Sequence, residues 1–255
     1  MTPVTGRKRT TIHIVLPAFN EGRNIGRLLD RIAGTMEEAG LRYRIILVDD
    51  GSTDDTVETA GRFRGEAPLE IVCHEQNQGL GATLRDGLVH ALKNADDNDI
   101  IITMDADETH APGLILHMSR KIREGHDVVI ASRFRPGARV YGVPLTRRFL
   151  SLAACWVLRL AFPLSNIRDF TCGYRAYRGG ALKIAVEHYG SRLVDADGFQ
   201  CMVDILLKLH KLHMIIGEVP VILRYDLKQG KSKMRVAATV RGTFSVLFRR
   251  RLGLP

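Results

Sequence analysis

"RYRIILVDDGSTDDTVETA", residues 42–60, decides how this chain is read. Ile45 to Val48 form an unbroken apolar run with no polar alternation, so both faces of the strand must be covered. That is the habit of strands in a parallel sheet sandwiched between helices. The run ends abruptly in Asp49-Asp50-Gly51, and Ser or Thr followed by acids then opens a helix, with the negative charge at the helix's positive end.

The same grammar repeats on both sides. "TIHIVLPAF" (11–19) reads as a first strand, and Asn20 is expected to cap a helix whose inward positions are Ile25, Leu28, Leu29, Ile32 and Met36. "LEIVCHE" (69–75) is a third strand, and Leu80, Leu84, Leu88 and Leu92 mark the helix after it. "DIIITMD" (99–105) is a fourth, followed by a helix opened by Pro112 with Ile115, Met118 and Ile122 inward. "DVVIAS" (127–132) is a fifth. The expected fold class is α/β: one Rossmann-like domain with a mostly parallel central sheet flanked by helices. Beyond residue 134 the alternation stops. An apolar helix is expected from about Pro144 to Phe162, then a loop "RDFTCGYRAYR" (168–178), a helix carrying Phe199, Met202, Leu206 and Leu209, and an extended "MIIGEVPVILRYD" (214–226). Residues 1–10 read as a basic N-terminus, 11–234 as the domain, and 235–255 as a basic amphipathic C-terminal segment.

At 255 residues, 45% apolar and 25% charged, the chain has the composition of an ordinary globular domain. Cys73, Cys155, Cys172 and Cys201 are far apart, with no C-x-x-C pair, which argues against a zinc site or a disulfide scaffold and for a reducing cytosol. The N-terminus lacks the pattern of a signal peptide, and no stretch reaches the ~18 apolar residues of a membrane span. The net charge is +9, and residues 224–251, with nine Lys or Arg against one Asp, carry nearly all of it. Arg133, Arg135, Arg139, Arg147 and Arg148 form a second basic group. Such concentration implies phosphates as partners, in a nucleotide, a nucleic acid or an anionic bilayer, unless it is a merely solvated tail.

In open α/β sheets ligands sit beyond the carboxyl ends of the strands. That places "PAFNEG" (17–22), "VDDGSTDD" (48–55), "HEQNQGLG" (74–81), "MDADETH" (104–110) and "ASRFR" (131–135) around one cleft. A D-x-D at a strand end offers two carboxylates to a hard divalent cation, which in turn can neutralise a departing diphosphate. "GLGATL" (79–84) is not a dinucleotide fingerprint: Leu84 stands where the third Gly belongs, and the stretch follows the third strand.

"PAFNE" (17–21), "VDDGSTDDT" (48–56), "NQGLGATLRDG" (77–87) and "MDAD" (104–107), in this order and spacing, resemble the family 2 glycosyltransferases, whose fold is called GT-A. The resemblance makes 11–133 the nucleotide-sugar half and 134–234 the acceptor half. It implies donor contacts from Pro17, Ala18, Asn20, Glu21, Asp49, Asp50, Gly51, Ser52, Arg85, Asp105, Ala106 and Asp107. Asp105 and Asp107, with Thr109, would hold Mg²⁺ or Mn²⁺. Thr109 stands where relatives often carry Gln, and its shorter hydroxyl is the poorer oxygen donor. "ASRFRPGARVYGVPLTRR" (131–148), "DFTCGYRAYR" (169–178) and "VPVILRYDLKQGKSK" (219–233) look like the polyprenyl-phosphate hexose synthases within that family. By that likeness Arg224 and Lys233, with Gly230 and Ser232, close over the donor diphosphate. Ser132, Arg133 and either Arg147 or Arg148 grip the acceptor phosphate, a task suited to the bidentate fork of Arg.

A lipid phosphate is already an anion near neutral pH and attacks the sugar carbon without a protein base, inverting the anomeric configuration. Together with that chemistry the resemblance implies metal-dependent, inverting transfer of a hexose, mannose from GDP-mannose, to a polyprenyl phosphate at the cytoplasmic face of a membrane. Attachment would be peripheral, through the 144–162 helix and Val236 to Phe248, or through a membrane-protein partner. A hydroxyl acceptor with a UDP-sugar donor is the alternative, and there Asp169 would serve as base; its other reading is a loop carboxylate that orders "CGYR". A non-catalytic phosphate or nucleic-acid binding module ranks last, because 224–251 interleaves only Tyr225, Phe244 and Phe248 with its cations.

Overall fold

The computed structural model describes residues 9–143, 152, 155–162, 164 and 166–229; the side chain of Phe199 lies outside that description. Arg147, Arg148, Gly230, Ser232, Lys233 and the 235–255 segment therefore lie outside the described residues.

Among the described residues seven strands form the central sheet: β1 (Thr11–Ala18), β2 (Arg42–Asp49), β3 (Leu69–Cys73), β4 (Ile100–Thr103), β5 (Val128–Ser132), β7 (Arg175–Arg178) and β8 (Ile216–Pro220). Their order is β3-β2-β1-β4-β7-β5-β8. All neighbours are parallel except β7, which runs antiparallel between β4 and β5. A small parallel pair, β6 (Arg139–Tyr141) with β9 (Ile222–Arg224), stands apart. The five strands expected from apolar runs are all present. β7 lies in the stretch 168–178 that the sequence reads as a loop. The sheet buries Arg175 completely by giving its guanidinium three carbonyls, those of Cys172, Met202 and Phe170.

The unbroken apolar runs have the cause expected of them. Ile12, Ile14 and Leu16 of β1, Ile45 and Leu47 of β2, and Ile100 and Ile102 of β4 pack one face, with Ile25, Leu28, Leu29 and Ile32 of α1 (Gly22–Glu38) and Ile115, Met118 and Ile122 of α4 (Leu114–Arg123). Val15, Ile46, Val48 and Ile101 point to the other face, where α3 (Leu80–Lys93), α5 (Gly179–Tyr189) and α6 (Cys201–Lys211) cover them. Strand residues alternate faces, so two covered faces demand apolar residues at every position. Gly87 lets α3 approach closely, since a Cβ there would meet Val15 and Val48 at 2.4 and 3.0 Å.

Two helix starts differ from expectation. Asn20 does not cap α1; Glu21 occupies that position, without a side-chain cap bond, and Asn20 adopts φ 54°. Pro112 precedes α4, which begins at Leu114 behind Gly113. α2 (Thr56–Gly61) is only 6 residues long.

Candidate active site

The carboxyl ends of β1, β2, β4 and β5 and the amino end of antiparallel β7 open on one edge. Asp49 lies opposite Ala18, and Asp50 N donates to Ala18 O at 2.8 Å, tying the first two loops together. Asn20, with the positive φ that Asn tolerates better than most residues, donates its backbone N–H to Ser52 Oγ (2.8 Å) and accepts from Thr53 N (2.7 Å). Glu21, which is buried, donates its N–H to Thr56 Oγ1 (2.7 Å), and its Oε2 accepts from Asn24 Nδ2 (2.7 Å). Gly51 has φ 68°, and a Cβ there would lie 2.7 Å from the Gln76 backbone, so only glycine allows this crossing.

Asp49 and Asp50 do different work. Asp49 Oδ2 accepts from Ser52 N (3.0 Å), whereas its Oδ1 is buried without a hydrogen-bond partner. Asp50 is committed within the protein: it accepts from Gln78 N (2.8 Å) and Gly79 N (2.9 Å) and faces His74 Nδ1 at 2.9 Å. The far nitrogen of His74 meets Asp86 Oδ2 at 3.2 Å, and Arg85 Nε donates to Asp86 Oδ1 (2.9 Å). Arg85 is thus tied to its chain neighbour. His74 and Asp86 were not singled out in the sequence, since acids and His near strand ends are common and only the fold stacks them.

The D-x-D loop leaves β4 after Thr103. Asp107 is nearly buried; its Oδ1 accepts from Thr109 Oγ1 (2.6 Å) and Thr109 N (3.2 Å), and its Oδ2 accepts from Lys228 Nζ at 2.5 Å. The Thr109 hydroxyl, offered by the sequence as a third metal oxygen, here orients Asp107. Asp105 keeps 36% of its side chain open and lies 3.8 Å from His110 Nδ1. Burial pushes Asp105 above the usual carboxylate range, His110 pulls it back, and Asp107 pushes it up again. For Asp107 burial acts upward too, but Lys228 and Thr109 hold it below that range. Glu108, at φ 62°, turns away into pairs with Arg27 (2.5 Å) and Arg31 (3.6 Å) of α1. His110 packs on the Tyr174 ring at 4.8 Å and holds the loop.

Ser132 is fully buried, and its hydroxyl accepts from Phe134 N at 3.3 Å. Arg133 is locked to Asp169 through Nε–Oδ2 (2.8 Å) and Nη2–Oδ1 (2.7 Å), with Nη2 also on Thr171 Oγ1 at 2.5 Å. Asp169 is fully buried and also accepts backbone N–H groups of Arg133, Thr171 and Cys172. Burial alone would raise its pKa; the charge and hydrogen bonds of Arg133 outweigh that and hold it below the carboxylate range. Arg135 pairs with Glu218 at 3.4 Å. Arg224 does not reach the D-x-D acids. Its side chain forks onto Asp226 (2.8–3.1 Å), while its backbone N–H clips Thr109 O at 2.9 Å.

Two neighbouring carboxylates in the loop that leaves a buried strand offer the hard oxygen donors a divalent cation takes, and in this structure the Lys228 ammonium sits on one of those oxygens. Among the described residues no three His, Cys, Asp or Glu converge to hold a metal alone, so a ligand's own oxygens would complete the shell.

The chain is 32% identical over 77% of its length to a dolichol-phosphate mannosyltransferase of Pyrococcus furiosus, spanning 52% (about half) of that relative. It is 30% identical to an undecaprenyl-phosphate mannosyltransferase of Micrococcus luteus, covering 86% of each chain. It is 31% identical to a polyprenol monophosphomannose synthase of Mycolicibacterium smegmatis, over 91% of this chain and 84% of that one. Among solved structures, glucosyl-3-phosphoglycerate synthase of Mycobacterium tuberculosis, with Mn²⁺ and UDP, superposes with a TM-score of 0.71 at 23% identity over 97% of this chain and 81% of that one, which establishes the GT-A fold. The family described as glycosyl transferase family 2 matches residues 13–184, the stretch that carries the acidic loops, and the chain belongs to it: it is a family 2 glycosyltransferase.

Proposed function

We propose that this glycosyltransferase moves a hexose, mannose from GDP-mannose, onto a polyprenyl phosphate with inversion, using Mg²⁺ or Mn²⁺. The observation that carries the reading is the state of Asp169. A hydroxyl acceptor needs a base near neutral pH, and the carboxylate the sequence offers for that work is fully buried, bound to Arg133 and depressed in pKa. A phosphate acceptor brings its own nucleophilic oxygen. The names of the relatives, which act on dolichol, undecaprenyl or polyprenol phosphates, point the same way.

In this reading Asp105 and Asp107 hold the cation, which supplies charge neutralisation to the leaving diphosphate. The Asn20 and Asp49–Ser52 loops seat the nucleoside. Arg133, kept in one orientation by Asp169, meets the acceptor phosphate without first losing rotamer freedom. Arg147 or Arg148, Ser232 and Lys233 retain the roles the family resemblance implies. Among the described residues no helix is long and apolar enough to cross a membrane. Exposed Leu152, Trp156, Val157 and Leu160, with Arg159 over the Trp156 ring at 5.8 Å, suit peripheral contact with a bilayer at its cytoplasmic face. The test is incubation with Mn²⁺ or Mg²⁺, a panel of labelled sugar nucleotides and short polyprenyl phosphates. An organic-extractable, mild-acid-labile product from GDP-mannose is expected; equal transfer to a hydroxyl acceptor lacking phosphate overturns the reading.

A further inference from the structure

A short strap crosses the candidate donor site. It begins where Arg224 N donates to Thr109 O and Leu223 bridges to His110, both in the loop that carries the D-x-D acids. It ends at Gln229, whose N–H donates to Asn24 Oδ1 (3.0 Å) and whose carbonyl accepts from Asn24 Nδ2 (3.1 Å). Asn24, in the first turn of α1 and 1% exposed, thus pairs with both main-chain polar groups of a residue 205 positions away, as a strand neighbour would. Between the two clips lies Lys228, with its ammonium on Asp107 Oδ2. Lys228 and Asp107 are 12% and 13% exposed, so little water screens the pair. Glu21 and Asp105 add to the negative field around it.

The geometry points to Lys228 as a resident cation that occupies the D-x-D site and must be displaced when a divalent cation arrives with a nucleoside diphosphate. This rests on the metal–diphosphate reading above. Asp107 Oδ1 already serves Thr109, so Oδ2 is the oxygen for which the ammonium and the divalent ion compete. Their like charges repel across the few ångströms that sharing it would impose. A metal ion alone must evict Lys228 and leave it beside a dication. A metal ion that brings a diphosphate supplies new oxyanions for the displaced ammonium. The strap therefore favours joint binding of metal and nucleotide over metal alone, and keeps the acidic site neutralised between turnovers.

The experiment is titration of the full chain with Mn²⁺, read by the paramagnetic resonance signal of the free ion, with and without GDP. Lys228→Met is expected to tighten Mn²⁺ binding without nucleotide by about tenfold or more, the scale of one nearby like charge, and to narrow the gain that GDP brings. Asn24→Ala, which unclips the strap while keeping the lysine, is expected to shift the same way by less, and Lys228→Arg to stay near the parent. Equal nucleotide-free affinities in the parent, Lys228→Met and Asn24→Ala overturn the inference. If those affinities are equal while lipid-linked product still forms, the inference alone fails. If affinities shift but no such product forms with any donor, the acceptor reading fails and the resident cation stands. No Mn²⁺ binding to any variant, with or without GDP, overturns both the metal site and the resident cation.

Discussion

Arg133 and Asp169 form a bidentate pair in which the carboxylate is wholly buried and the guanidinium is 21% exposed. The pair joins the end of β5 to the loop before β7 and so couples the candidate acceptor site to the sheet. Removing one partner of such a pair strands the other without its counter-charge.

Asp169→Asn is therefore expected to cost about 3–5 kcal/mol of stability, read as a shift in the urea midpoint. Transfer measured on the remaining folded enzyme, with the acceptor phosphate supplied, should persist at reduced rate. Full stability with complete loss of transfer would restore Asp169 as a base.

The pH dependence follows from two carboxylates of opposite behaviour. Asp169 is depressed, so its stabilisation is complete above its unfolded pKa of about 3.9 and is lost as pH falls through the lower folded value. Glu218 is raised, chiefly by burial, against backbone N–H bonds from Arg168 and Asp169. Its contribution is complete below the unfolded pKa of about 4.3 and is lost as pH rises through the folded value. Glu218→Gln keeps an acceptor oxygen without the charge. The stability of the parent relative to this variant should decline as pH rises from about 4 to 7; urea midpoints across that range check it, and a flat difference refutes it.

Asp107→Asn should abolish transfer, by at least about 100-fold in kcat, with circular dichroism unchanged. Near-normal turnover in Mn²⁺ would remove Asp107 from the metal site.

Arg133→Ala should raise the KM for polyprenyl phosphate more than that for the sugar nucleotide, alongside a loss of stability because Asp169 is left unpaired. The reverse order of KM effects, measured by initial rates with each substrate varied, would move Arg133 to the donor side.

Glu108→Gln tests the tether between the D-x-D loop and α1. Arg27 and Arg31 are 51% and 39% exposed, so the loss of stability should be modest, about 1 kcal/mol. The donor KM should rise several-fold while the acceptor KM stays put; equal effects on both would make the tether a general stabiliser only.

The local sequence was enough to read the first half of the fold. Ile45–Val48 and Ile100–Ile102 announce doubly covered strands because burial on both faces leaves no room for alternation. The acidic turns after them follow from the rule that polar loops gather at strand carboxyl ends. The partners of Glu108 in α1 were not legible there. What lay beyond the sequence is of one physical kind. β7 is a central strand despite Arg175, because the carbonyl of Met202 in α6 joins those of Phe170 and Cys172 in the preceding loop to satisfy the guanidinium. His74 bridges Asp50 and Asp86 only because β3 and α3 are stacked beside β2. Lys228 meets Asp107 across 121 residues, and Asn24 meets Gln229 across 205. Apolar patterning is a local consequence of burial and is written along the chain. The pairing of polar groups depends on which distant segments the topology brings to the same edge, and only the folded sheet decided that.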